Sequence, residues 1–172
     1  NTTKTYDFNP HAGSLLLDAF MRCGVRPAEV TATHLMFGQM AENFMLVTLS
    51  NLQPNLWEVG LQSVPLVQGE ATYTVPAETV TILDLYVSYG SPSTDRYLNQ
   101  ISRTEYTAIP NKTQQGFPNQ YWFNRRISPE ITFYQVPDGA GPYVAKYYSV
   151  RQTQDAVLAN GDTVEIPYRW LE

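Results

Sequence analysis

One cysteine, Cys23, and two histidines, His11 and His34, are all that 172 residues offer to thiol or imidazole chemistry. A single thiol excludes an intrachain disulfide. Neither histidine has a Cys, His or acidic partner at ligand spacing, and no HExxH or CxxC occurs, so the sequence predicts no zinc site. A G-x-S-x-G elbow is missing, as are the GxGxxG and GxxxxGK[ST] phosphate loops, so no cofactor is expected. No apolar run is long enough to span a bilayer and no charged-then-apolar leader is seen, which predicts a soluble chain, made in a reducing compartment, with no membrane partner. Positive charge is scarce too. With 11 Lys and Arg against 16 Asp and Glu the net charge is -5, which argues against tight wrapping of duplex DNA.

What is abundant is apolar and aromatic material: 43% of the residues are hydrophobic, enough to bury a real core. Twelve of the aromatics are Tyr, which suits half-wet sheet faces and protein interfaces. The N-terminal third has helical periodicity. Asn9-Pro10 caps a first helix carrying Leu15, Leu16, Ala19, Phe20 and Cys23, and Gly24 ends it. A second helix is expected from Thr31 to Leu52, its apolar stripe Met36, Met40, Phe44 and Val47 packing inward, with Gln39, Glu42 and Asn43 on other faces. Pro54 stops it. The pair forms a hairpin.

From Leu66 the period changes to two. Strands are expected over 71–75, 80–89, 119–124, 130–135 and 143–150. In the second, Leu83, Leu85, Val87 and Tyr89 face one side and Asp84, Tyr86 and Ser88 the other. Ser102-x-x-Glu105 is a capping box that starts one or two helical turns. Residues 166–172 read as the first turn of another helix, and a lone turn cannot sustain itself, so the polypeptide is expected to continue beyond Glu172. The fold class is therefore α+β. It comprises a helical hairpin over 1–60, completed by a C-terminal helix largely absent here, an antiparallel β domain over 61–163, and a helix start over 164–172.

Paired carboxylates meet only in the fold, so Glu29, Glu42, Glu105, Asp138, Asp162 and Glu165 leave glycosidase-type catalysis as an alternative. Local roles account for several of them: Glu105 completes the capping box, Asp138 sits in a turn, and Glu42 is placed on a solvated helix face. The basic and aromatic stretch is the better candidate. Lys112, Arg125 and Arg126 bracket Phe117, Tyr121, Trp122 and Phe123. Alternation puts Tyr121 and Phe123 on the core side of a strand and leaves Trp122 outward beside the arginines, a combination typical of interface anchors. Lys112, Phe117, Trp122, Arg125 and Arg126 are thus the expected partner-contacting residues.

A series of short motifs resembles one family. Gly69-Glu70-Ala71-Thr72-Tyr73-Thr74-Val75-Pro76 followed by Val80-Thr81-Ile82 is similar to the G-x-x-x-Y-x-(Leu/Val)-P…I strand of head-to-tail adaptors of short-tailed bacteriophages. Ile101-Ser102-Arg103-Thr104-Glu105-Tyr106, then Lys112, Gly116-Phe117-Pro118 and Tyr121, resembles the family's I-S-R-x-E-Y…K…G-x-P-x-x-Y passage. Val136-Pro137-Asp138 is similar to its P-x-P-D turn, with Gln135 in place of the first proline, and Ile166-Pro167-Tyr168-Arg169-Trp170 resembles the start of its C-terminal helix. The resemblance implies a structural protein of the virion rather than an enzyme, assembled in the bacterial host cytoplasm. It implies a ring of twelve copies below the portal protein, extending the DNA channel, retaining packaged DNA and offering a platform to tail nozzle and tail fibre proteins. Genomic DNA would pass through without sequence-specific binding, which a net negative charge permits. The alternatives are a virion-associated peptidoglycan hydrolase and a carbohydrate-binding β module.

Overall fold

The computed structural model describes residues 10–52, 58–158 and 163–164. The chain divides into two compact units, one formed by residues 1–57 with 153–172 and the other by 58–152. The expected helix start at 166–172 lies outside the described residues.

In the first unit, α1 (Ala12–Arg22) and α2 (Ala32–Leu52) are joined through a single 3₁₀ turn at Pro27–Glu29. Gly24, at φ 86°, supplies the left-handed residue that lets the chain leave α1. Thr31 and His34 open α2 reciprocally: the Thr31 amide donates to His34 Nδ1 at 3.2 Å and the His34 amide to Thr31 Oγ1 at 3.4 Å. Gly38 sits where α1 comes close, since a Cβ there would lie 3.3 Å from Leu16 and 3.4 Å from Phe20.

The face that α2 turns inward is not the expected one. Met36, Met40 and Phe44 are 59%, 50% and 65% exposed, and Val47 is exposed as well. Leu46 and Glu42 are buried, and Gln39 and Asn43 are half-buried. The reason is the returning chain at 153–158. The Ala156 carbonyl accepts from Gln39 Nε2 at 3.0 Å and Asn43 Nδ2 at 3.3 Å, and the Ala156 amide donates to Asn43 Oδ1 at 2.7 Å. The backbone groups of Ala156 need polar partners, so the segment selects the amide side of the helix. Ala12, Leu46, Ala156 and Val164 make the small core beneath, with Leu15 packed against it. Cys23, placed by periodicity on the apolar stripe, is exposed.

The second unit is a sandwich of two sheets. One has the order β1-β10-β3-β4, from β1 (Val59–Leu66), β10 (Tyr143–Arg151), β3 (Thr79–Tyr89) and β4 (Thr94–Tyr97), all antiparallel. The other has the order β2-β8-β7-β5, from β2 (Thr72–Thr74), β8 (Glu130–Tyr134), β7 (Gln120–Asn124) and β5 (Asn99–Gln100), with β5 parallel to β7. A short parallel pair, β6 (Gln115–Gly116) with β9 (Val136–Pro137), completes it. Alternating residues from both sheets meet in one core: Leu85, Val87, Ala145 and Tyr147 from the first, Tyr73, Tyr121, Phe123, Ile131 and Phe133 from the second. The α+β architecture is the one expected. Two readings within it are corrected. Val59–Leu66 is a strand. Leu83 is exposed and Ile82 buried, because the β10–β3 register slips between Tyr148 and Ser149, pairing Asp84 with one and Ile82 with the other. The bulge reverses the alternation on one side of it.

Candidate functional site

The five sequence-predicted contact residues lie in the β unit and fall into three groups. The first is built by the short helix α3 (Arg103–Ala108). Ser102 Oγ accepts from the Glu105 amide at 3.2 Å, and Glu105 Oε2 accepts from the Ser102 amide at 2.6 Å. Hydrogen bonds to the carboxyl from the Ser102 amide first, and then from the Ser102 side chain, hold Glu105 below its ordinary pKa. The helix presents Tyr106, whose ring stacks on Trp122 with centroids 5.4 Å apart and planes 25° from parallel. Trp122 is therefore half-covered by its own chain. Lys112 closes the other end of α3. Its Nζ donates to the carbonyls of Thr107 at 3.0 Å and Ile109 at 2.8 Å and lies 5.8 Å from the Tyr106 ring. A cation at the carbonyl end of a helix satisfies orphan acceptors and complements the dipole.

Phe117 belongs to a different cluster. It packs edge-on against Tyr89 at 4.8 Å and Tyr143 at 5.3 Å, with the Arg96 guanidinium 5.0 Å from its ring. Tyr143 in turn donates to Asp138 Oδ1 at 2.7 Å, and its hydroxyl is pushed up to about 12 by burial and by that carboxylate.

Arg125 and Arg126 form the tip of the β7–β8 hairpin. Arg125 Nη2 donates to Thr81 Oγ1 at 3.0 Å, and Arg126 stands 3.8 Å from Glu130. Beside them Ile127 is 96% exposed. Sequence reading missed this isoleucine. Its signal was an apolar residue between Arg126 and Ser128-Pro129, in a segment too short to belong to either strand.

The carboxylates do not assemble into a catalytic pair among the described residues. Glu29 and Glu105 cap helices, accepting from the Arg26 and Ser102 amides, and Asp138 accepts from Tyr143 and the Ala140 amide. Asp162 and Glu165 lie outside the described residues. No three His, Cys, Asp or Glu side chains converge among the described residues, and no described helix is long and apolar enough to cross a membrane.

Glu42 is the exception to the solvated role expected of it. It is only 8% exposed, and its Oε2 has no hydrogen-bond partner among the described residues. Burial raises its pKa. It lines a groove of about 560 Å³ between α1 and α2, whose other walls are mainly apolar: Leu16, Ala19, Phe20, Met45 and Leu46. A carboxylate in such surroundings is held at a cost unless a cation reaches it.

The sequence profile of the SU10 adaptor protein family matches residues 16–172. None of the curated proteins matches the chain significantly.

Proposed function

Because the chain belongs to the SU10 adaptor protein family, a phage head-to-tail adaptor family, and is thus a structural virion component of the head-to-tail junction, we propose that it works by closing a ring of about twelve copies beneath the portal. In this reading the ring extends the DNA channel, helps retain the packaged genome and carries the tail nozzle and tail fibre proteins, and it is assembled in the host cytoplasm. The observation that carries the proposal is α2. Its apolar residues run round the whole helix, and Met36, Met40 and Phe44 remain at least half bare in the single chain. A helix apolar on every side is one that other elements cover, and in a soluble subunit the remaining cover comes from neighbours.

The helical unit, residues 1–57 with 153–172, is assigned to ring building and to the portal, and the β unit, residues 58–152, to tail partners. Lys112, Phe117, Trp122, Arg125 and Arg126 remain the proposed contact residues, with a division of labour. Lys112 and Trp122 act by holding α3 in place, Phe117 by supporting Arg96, and the arginine tip by direct contact.

The experiment is a mass measurement of purified protein with and without portal. A portal-bound species of about twelve copies supports the proposal. A chain that stays monomeric with portal present, or that clears peptidoglycan in a zymogram until a single Glu→Gln change abolishes the clearing, would overturn it.

A further inference from the structure

Two surfaces among the described residues are complementary. One is a knob. The β7–β8 tip projects Ile127 almost wholly into solvent, directly after Arg125 and Arg126 in the chain. The tip is held from within: the Arg126 amide donates to the Asn124 carbonyl at 3.1 Å, and the Val75 amide to the Pro129 carbonyl at 3.0 Å. The ion pair available to Arg126 is loose at 3.8 Å and well exposed. The other surface is a socket. The α1–α2 groove is mainly apolar, and its lining includes the ion pair of Asp18 with Arg22 at 2.7 Å and Glu42, one oxygen of which is buried without a hydrogen-bond partner among the described residues. An apolar tip next to two cations fits a mainly apolar slot in which Asp18 is already paired with Arg22 and Glu42 is not, and the Glu42 carboxylate would gain the partner it lacks.

We infer that the hairpin tip of one copy docks in the α1–α2 groove of the next, with Ile127 against the apolar walls and an arginine reaching Glu42. The contact joins two different surfaces, so each copy keeps one free knob and one free socket. Repetition with a closing rotation gives a ring. The inference rests on the assembly proposed above and specifies the surfaces that make it.

The protein's single cysteine makes this testable, because Cys23 is exposed and lines the groove. Wild-type chain, which offers a thiol only at the groove, is mixed on portal with a Cys23→Ser, Ile127→Cys chain, which offers one only at the tip. A short bis-maleimide then joins thiols of neighbouring copies. Cross-linked dimers at least tenfold above those from either chain alone are expected. A portal-bound assembly that forms without this cross-link overturns the docking and leaves the ring reading intact; it would point instead to another occupant of the groove, such as residues 165–172. Failure of any assembly on portal sinks both. As a second arm, Ile127→Asp, at a position too exposed to affect folding, is expected to weaken assembly at least tenfold with an unchanged melting curve. Unchanged assembly would contradict the inference.

Discussion

The two units solve the burial problem differently. The β unit closes on itself. Leu85, Tyr121, Phe133 and Tyr147, drawn from four strands in two sheets, are each buried to within a per cent or so of completely. Among the described residues the helical unit has a core cluster of small or medium side chains, Ala12, Leu46, Ala156 and Val164; it holds the returning chain at Ala156 by amide hydrogen bonds and leaves Met36, Met40 and Phe44 exposed. A folded scaffold that needs nothing further carries one set of partners, and an unfinished one is completed by others. This contrast is the physical basis for assigning assembly to the helices.

The sharpest way to break the comparison is to empty each core in turn. Phe133→Ala is expected to destabilise the β unit by about 3–5 kcal/mol, while Leu46→Ala, beside a groove that can collapse, costs nearer 2 kcal/mol. Urea titration read by tryptophan fluorescence and by far-UV circular dichroism separates the units; equal losses would mean the helical core is as closed as the sandwich. Next in size, Met40→Ser with Phe44→Ser is expected to change the stability of the single chain by no more than about 0.5 kcal/mol. Assembly on portal is expected to fall at least tenfold. A large loss of melting temperature would show that the exposed stripe is internal after all.

Trp122→Ala removes the Tyr106 stack, worth about 1 kcal/mol beyond area, and loosens α3. Weaker portal assembly out of proportion to this loss supports a contact role, whereas proportionate losses confine Trp122 to anchoring the helix. The smallest effect is at Glu42. Its carboxyl titrates at a raised pKa in the fold, so the neutral form is favoured there. The penalty is absent below the ordinary carboxylate pKa and complete once pH exceeds the folded value. Glu42→Gln is therefore expected to raise monomer stability at neutral pH by about 1 kcal/mol, with the advantage fading on acidification through that window. The same change is expected to weaken assembly. A stability gain that persists at low pH would contradict the electrostatic account.

Local chemistry was the legible part of the sequence. The Ser102 and Glu105 capping box depends on four consecutive residues, and Tyr121 and Phe123 alternate in a strand with no irregularity, so both are where spacing puts them. Periodicity failed where the answer depends on distant chain. It located the apolar stripe of α2 but could not say that Ala156 would return to bond the opposite side. Nor could it see the bulge that sends Leu83 outward, since nothing near Leu83 records the register of Tyr148 and Ser149. β1 was invisible for a different reason. Gly60 and Pro65 interrupt it, and its burial comes from pairing with β10. In the candidate site, Lys112 and Trp122 were found by composition, but their mutual arrangement around Tyr106 required the fold. Glu42 was misplaced with the helix face, and Ile127 carried too little pattern to be noticed.

The central claim is that the helical unit is finished by neighbouring copies. Hydrogen exchange of the α2 amides, measured on the free chain and on the portal-bound assembly, tests it most directly. Protection across residues 36–47 that rises at least tenfold on assembly, while the amides of β7, β8 and β10 change little, is the result expected. Protection of α2 that is already equal to the sandwich in the free chain, and unaltered by portal, would contradict it.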